Sequence, residues 1–232
     1  MNYQLALITN SDIENYKIVI ATPNTAEDFY KKSPAAFFLE KSGWEKRSTI
    51  VFENKLGLPA LYNSFICEEN INKKIIFMHD DVLIQDLFFD EKIELAFAKY
   101  DIVGLAGAKT CDLQAPMKAW HLMTSRENMV GEVGHSKDKK SWTTTFGPTD
   151  SRALIIDGLF IAVDVNKLLQ TKTYFDEDFD FHHYDMTFCL RANQNKLKIG
   201  VYPIQVLHFG LGDSMMSDQW QKSAIRFKEK YC

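Results

Sequence analysis

An apolar run, KIIFM (74–78), stops abruptly at His79, Asp80 and Asp81. In an open α/β sheet, ligands collect beyond the carboxyl ends of the strands. Two carboxylates at such an end suit a hard divalent cation, which takes oxygen ligands and fills its remaining positions with phosphate and water. The chemistry implied is a metal–diphosphate site; the same pair also serves simply as a turn or helix cap. Three more stretches add titratable groups. IIDGLFIAVDV (155–165) sets Asp157 and Gly158 inside an apolar pattern, where a glycine marks close approach by backbone or ligand and an unpaired aspartate would be costly to bury. YFDEDFDFHHYDMTFCLRA (174–192) crowds carboxylates and two histidines ahead of a helical run, with Asp178 and Asp180 most easily read as solvated. VLHFGLGDS (206–214) ends a strand in His208, a position where histidine is more often structural than a ligand.

The elements that must hold these residues are visible in the periodicity. KIVIAT (17–22), TIVFE (49–53), KIIFM (74–78) and DIVGLAG (101–107) read as strands. Between them lie a helix within 26–42, a helix carrying Leu61, Tyr62, Phe65 and Ile66 on one face behind Pro59, and a helix with Phe89, Ile93, Ala96 and Phe97. This β-α-β-α-β-α-β order predicts an α/β fold with a mostly parallel sheet flanked by helices. Residues 110–152 keep no sustained period and read as a long loop, either a lid or acceptor-binding segment or a plain surface insertion. Regular signals return with a β-rich stretch over 153–165, a helix from about Tyr184 to Asn195, and short strands in KIGVYP and QVLHF. A terminal helix spaces Trp220, Ala224, Phe227 and Tyr231 on one face and Lys222, Arg226, Lys228 and Lys230 on the other. It reads as a docked surface helix, with peripheral membrane contact as the minor alternative. One domain over residues 1–232 is expected: about 17–109 as one half, 110–214 as the other, and 215–232 as the terminal helix.

Composition narrows the partners. The 232 residues carry 27 basic and 31 acidic side chains, a net charge of −4, so no basic stripe for nucleic acid is expected. The first residues, MNYQLALITNSDIENYK, lack the basic region of a signal peptide and the length of a membrane span. Cys67, Cys111, Cys189 and Cys232 are widely spaced without a CxxC pair and read as reduced thiols in a cytoplasmic protein, possible contact with the inner membrane face aside.

In their order and strand-end placement, these stretches resemble the nucleotide-sugar glycosyltransferases of the GT-A fold, most closely glycosyltransferase family 2 and its small bacterial relatives, over about residues 17–214. The resemblance implies a small antiparallel portion in the second half of the sheet. It places HDD where the family has its metal-binding DxD motif, so that Asp81 matches the second acid and His79 replaces the first. Asp81 and His208 are then metal ligands for Mn²⁺ or Mg²⁺, His208 matching a third ligand found in several such enzymes. Thr22, Glu53, Asn54, Asn63 and Asp80 fall to the donor nucleotide. Asp157, Gly158, His183 and Trp120 fall to the sugars, although Trp120 and Trp142 serve equally well as anchors of the long segment. Asp185 matches the family's general base, with Tyr184 where a glutamate often stands.

The function so implied is inverting, metal-dependent transfer of a sugar from a nucleoside-diphosphate donor, UDP-linked by preference, to a hydroxyl of a glycan or lipid-linked acceptor in bacterial surface-glycan synthesis. Two rivals remain from the residues themselves. A nucleotidyltransferase would also use acidic metal ligands, but ATPNTAEDF (21–29) lacks the glycine-rich loop it needs. A non-catalytic carbohydrate-binding module draws its support from the altered HDD motif.

Overall fold

A computed structural model describes residues 14–210 and 217–232. Residues 1–13, read above as neither leader nor span, and 211–216, which include Gly212 of the VLHFGLGDS stretch, lie outside them. The first half builds the expected βα repeats. Strand β1 (Tyr16–Ala21) leads to helices α1 (Ala26–Lys32) and α2 (Pro34–Ser42), then β2 (Ser48–Val51), α3 (Leu58–Phe65) and β3 (Lys74–Met78). β1 lies between β2 and β3 and is parallel to both. The helix expected within 26–42 is two helices because Pro34 disfavours helical geometry at Ser33, which is extended at φ −77°, ψ 128°. That break is useful: the Ser33 hydroxyl and the Ala35 N–H both bond the Asp80 carbonyl, pinning the end of β3 to the start of α2.

After β4 (Val82–Ile84) and α4 (Phe89–Phe97), the run DIVGLAG divides into β5 (Ile102–Gly104) and β6 (Ala106–Ala108). β5 stays in the main sheet, and β6 crosses into a second sheet. The crossing explains the glycines, since a Cβ on Gly107 would come within 2.1 Å of the Ile155 carbonyl oxygen. Residues 110–152 differ from the long loop that the sequence suggests. They contain a hairpin of β7 (Met129–Lys137) and β8 (Lys140–Thr145), closed by Asp138 and Lys139, both at positive φ as a tight hairpin turn requires. Its period is invisible in the sequence because β8 is exposed along almost its whole length, so no apolar alternation marks it.

The remaining strands are β9 (Ser151–Arg152), β10 (Ile155–Ile156), β11 (Phe160–Asp164), β12 (Ile199–Val201) and β13 (Val206–His208). Helices α5 (Val165–Thr171), α6 (Tyr184–Gln194) and α7 (Asp218–Tyr231) complete the described elements. The main sheet has the order β2-β1-β3-β11-β5-β12-β9, the second β10-β6-β7-β13-β4 with β8 on β7. β11 enters antiparallel between β3 and β5, while β12 returns parallel to β5. A continuous buried cluster joins the strands of both halves to Phe188 of α6 and Phe227 of α7. α7 is docked by Ala224 and Phe227, and Lys230 and Tyr231 both reach the buried carboxylate of Asp176.

Candidate active site

Register delivers the chemical residues to one place. Because β11 runs antiparallel to β3, with Phe160 opposite Met78, the turn that precedes it lies beside the end of β3, and the His79 N–H donates to the Leu159 carbonyl at 3.1 Å. Asp157 and Gly158 thereby reach His79. β13 runs antiparallel to β4, with His208 opposite Val82, and the Phe209 N–H donates to the Asp81 carbonyl at 2.9 Å. His208 thereby reaches Asp81. Ligand-type atoms of His79, Asp81 and His208 all lie within 4.8 Å of one another.

This trio fits a divalent cation. His208 Nε2 stands 3.4 Å from Asp81 Oδ2, while Asp81 Oδ1 is the one buried side-chain polar atom without a hydrogen-bond partner among the described residues. Leaving a carboxylate oxygen so exposed to desolvation is costly unless something positive satisfies it. The room is there too: a Cβ on Gly210 would come within 2.3 Å of Asp81 Oδ2 and 2.7 Å of His208 Nε2, so only glycine keeps that approach open. Burial tends to raise Asp81 but the His208 contact overrides it and holds the carboxyl below its usual range; burial likewise opposes the charge on His208, and Asp81 lifts it. Burial pushes His79 down, keeping it neutral.

Proton accounting fixes the His79 tautomer. The Tyr184 hydroxyl lies 2.7 Å from the Gly158 carbonyl, which can only accept, so its single hydrogen goes there. His79 Nε2, 3.1 Å from the same hydroxyl, must then be the donor. The lone pair of neutral His79 is left on Nδ1. Sequence reasoning gave His79 only as a replaced acid; its two-residue offset from Asp81 at a strand end was the signal that could have included it.

Across the cavity, α6 presents Asp185. His183 precedes it at φ +63°, unusual for a residue with a Cβ. A hydrogen bond from its Nε2–H to the Pro116 carbonyl and another between its Nδ1 and the Ser223 hydroxyl, each 2.8 Å, hold it there. Asp185 accepts from the Gly158 N–H at 2.9 Å and the Met186 N–H at 2.8 Å. Burial, then the nearby Asp157 carboxylate, push its pKa from 3.8 up to about 7. A carboxylate so tuned can accept a proton near neutral pH.

Both groups face a cavity of about 840 Å³ whose lining includes His79, Asp81, Asp157, Asp185 and His208. A second, of about 540 Å³, opens beside it along β1 and β3, and His79, Asp81 and Phe181 line both. Thr22, Asn54 and Asp80 line the smaller one, with the buried Thr22 hydroxyl bonded to the Asp80 carboxylate.

Of the expected site residues, Glu53 and Asn63 line neither cavity, while His183, Trp120 and Gly158 line the larger one. Glu53 is exposed outside both cavities, at φ +49°. Asn63 is spent on the fold: its amide exchanges hydrogen bonds with the Phe175 backbone, at 3.0 and 2.9 Å, tying α3 to the following segment. His183 lines the cavity wall, but both ring nitrogens are engaged as above, which leaves none for an acceptor. Trp120 is 7% exposed and donates its Nε1–H to Asp157 at 2.6 Å, so it orients that carboxylate rather than offering an open ring face. Gly158 makes its close approach to Tyr184, whose hydroxyl a Cβ would meet at 2.5 Å.

Parallel βα repeats with an antiparallel strand inserted beside β3 make a GT-A fold. Residues 48–231 match the family described as "Glycosyltransferase like family", and the chain belongs to that family. Its fold is shared with A197 from STIV (14% identity, TM-score 0.51, covering 85% of this chain and 86% of that one). It is shared too with GalNAc-T7, crystallised with UDP, GalNAc and Mn²⁺ (9% identity, TM-score 0.54, 93% of this chain). This chain spans 47% of GalNAc-T7. No curated protein sequence is significantly similar to it. The family decides the choice left open by the sequence: the protein is a glycosyltransferase, not a nucleotidyltransferase.

Proposed function

We propose that the protein transfers a sugar from a nucleoside-diphosphate donor to an acceptor hydroxyl, with a divalent cation and with inversion at the anomeric carbon. The observation that carries this reading is the meeting, in one cavity, of a His–Asp–His trio holding an unsatisfied carboxylate oxygen and a carboxylate tuned to about 7. The smaller cavity suits the nucleotide, and the GalNAc-T7 complex with UDP supports a uridine donor.

His79, Asp81 and His208 would hold the cation. Two imidazoles among three ligands favour a transition ion such as Mn²⁺ over Mg²⁺, which prefers oxygen. When bound, it supplies electrostatic stabilisation of the charge that develops on the departing diphosphate. Asp185 takes the proton of the acceptor hydroxyl as its oxygen bonds to the anomeric carbon and the bond to the diphosphate breaks. The Gly158 and Met186 N–H groups hold the carboxylate in place meanwhile. One base and one displacement give inversion. A lipid-linked or surface glycan is the acceptor this reading favours, met at the cytoplasmic membrane face; among the described residues no helix is long and apolar enough to cross a membrane.

The test is thermal stabilisation by UDP, GDP, CMP and dTDP, each with and without Mn²⁺. A nucleotide at 100 times its Kd adds about 2.7 kcal/mol. Stabilisation by one of them only with metal is expected, and none at millimolar nucleotide would overturn the reading. Anomeric configuration of the transferred sugar, read by NMR, tests inversion.

A further inference from the structure

The hairpin β7–β8 brings an aromatic surface to the cavity that the chemistry above does not use. Trp142 is opposite His135 in the β7–β8 pairing, and His135 is opposite His208 in the β7–β13 pairing. The three rings therefore lie side by side on one face of adjacent strands. Trp142 stacks on His135, with centroids 5.5 Å apart and planes at 23°, and His135 tilts against His208 at 5.9 Å. One face of the Trp142 ring is thus backed by protein, while the residue stays 45% exposed. Two strand spacings, about 10 Å, separate it from His208. It lines the same cavity as Asp185.

We infer that Trp142 is a stacking platform for a neutral pyranose of the acceptor. This rests on the larger cavity being the transfer site. A flat, backed indole with an open face matches the apolar C–H face of a sugar ring. Near it, the Nε1–H of Trp142 and the hydroxyl of Thr144, which also lines the cavity, make no hydrogen bond to any described residue and can meet sugar hydroxyls. Charge selects against an acidic sugar. Asp81, Asp157 and Asp185 line the cavity, and Arg126, the single Lys or Arg in its described lining, is tied to the Thr145 carbonyl at 2.6 Å. Trp120, the other tryptophan of this segment, is buried on Asp157 and offers no such face. The acceptor class is therefore a neutral saccharide.

Saturation-transfer NMR with methyl glycosides of glucose, galactose, mannose and N-acetylglucosamine tests this. The wild type, Trp142→Ala and Trp142→Phe are compared, each also assayed for thermal stabilisation by UDP with Mn²⁺. At least one glycoside is expected to bind the wild type through the protons of one ring face. Trp142→Ala weakens that binding about tenfold and Trp142→Phe restores most of it, a size typical of ring stacking. The melting temperature and the nucleotide response stay unchanged in both variants. Equal binding to Trp142→Ala overturns the platform, as does a wild type that responds to UDP and Mn²⁺ but binds none of the glycosides. A serine- and threonine-containing peptide that binds in a Trp142-dependent way, where no glycoside does, overturns the saccharide class. Absence of any nucleotide response, with Trp142-dependent sugar binding intact, sinks the transfer reading and leaves the platform standing.

Discussion

Asp81 and Asp185 face the same cavity, yet their surroundings drive them in opposite directions. Asp81, at the end of β3, has His208 beside it and is held below the ordinary carboxylate range despite its burial. Asp185, in the first turn of α6, accepts two backbone N–H bonds and sits at the positive end of a helix, both of which favour the anion. Burial and the adjacent Asp157 nevertheless carry it up to about 7. The lesson is one of magnitudes: a helix end is worth at most about 2 kcal/mol, and desolvation beside a like charge exceeds it. One wall is thus set to keep a charge for a cation, the other to exchange a proton.

The strongest way to break this contrast is to neutralise the proton-exchanging wall. Asp185→Asn is expected to slow transfer about 10³-fold, within the range for loss of a general base, while UDP–Mn²⁺ stabilisation is retained. In the wild type the base must be ionised, so the rate should rise with pH through about 7 and then level off. A flat profile between pH 5 and 9 would remove Asp185 from that role.

Next in size is the charge-keeping wall. Asp81→Ala should abolish the metal-dependent part of the nucleotide shift, about 2.7 kcal/mol at 100 times Kd, and leave the metal-free melting temperature close to that of the wild type.

A sharper probe concerns His79. If Nδ1 is the ligating atom, His79→Asn, whose amide oxygen stands near the Nδ1 position, should keep more Mn²⁺ affinity than His79→Gln. Tyr184→Phe, which removes the group that accepts the Nε2 proton, should cost about 10- to 100-fold in Mn²⁺ affinity, measured by calorimetry without any donor. The reverse order of the two His79 variants would assign the metal to Nε2.

The same shift also acts on stability. Asp185 has a folded pKa raised above the unfolded value of 3.8, so the stabilisation linked to its protonated form is complete below 3.8 and lost as pH rises through about 7. Asp185→Asn should therefore raise the melting temperature relative to the wild type more at pH 8 than at pH 4. An equal shift at both would show that the folded pKa is not raised.

Much of this was legible in the chain. Strand-end HDD, the DG turn, His208 and the Asp185 region are all local patterns, and the βα repeats that carry them follow from apolar periodicity alone. The partners of Asn63 and His183 were not legible, because a polar side chain near a site reads the same whether it bonds a ligand or the backbone; only the fold shows Phe175, Pro116 and Ser223 beside them. The β7–β8 hairpin escaped because a strand exposed on both faces has no apolar period to read.

The sequence by itself determined which residue types were present and which local elements would carry them, because periodicity, capping and strand ends are matters of a few neighbours. Only the tertiary structure decided their chemistry. Antiparallel insertion of β11 beside β3 and pairing of β13 with β4 bring residues 79, 81, 157, 185 and 208 to one cavity. The opposite ionisation of two identical carboxyls is set there, by burial and by neighbours distant in sequence, since solvation and Coulomb energy depend on position in space.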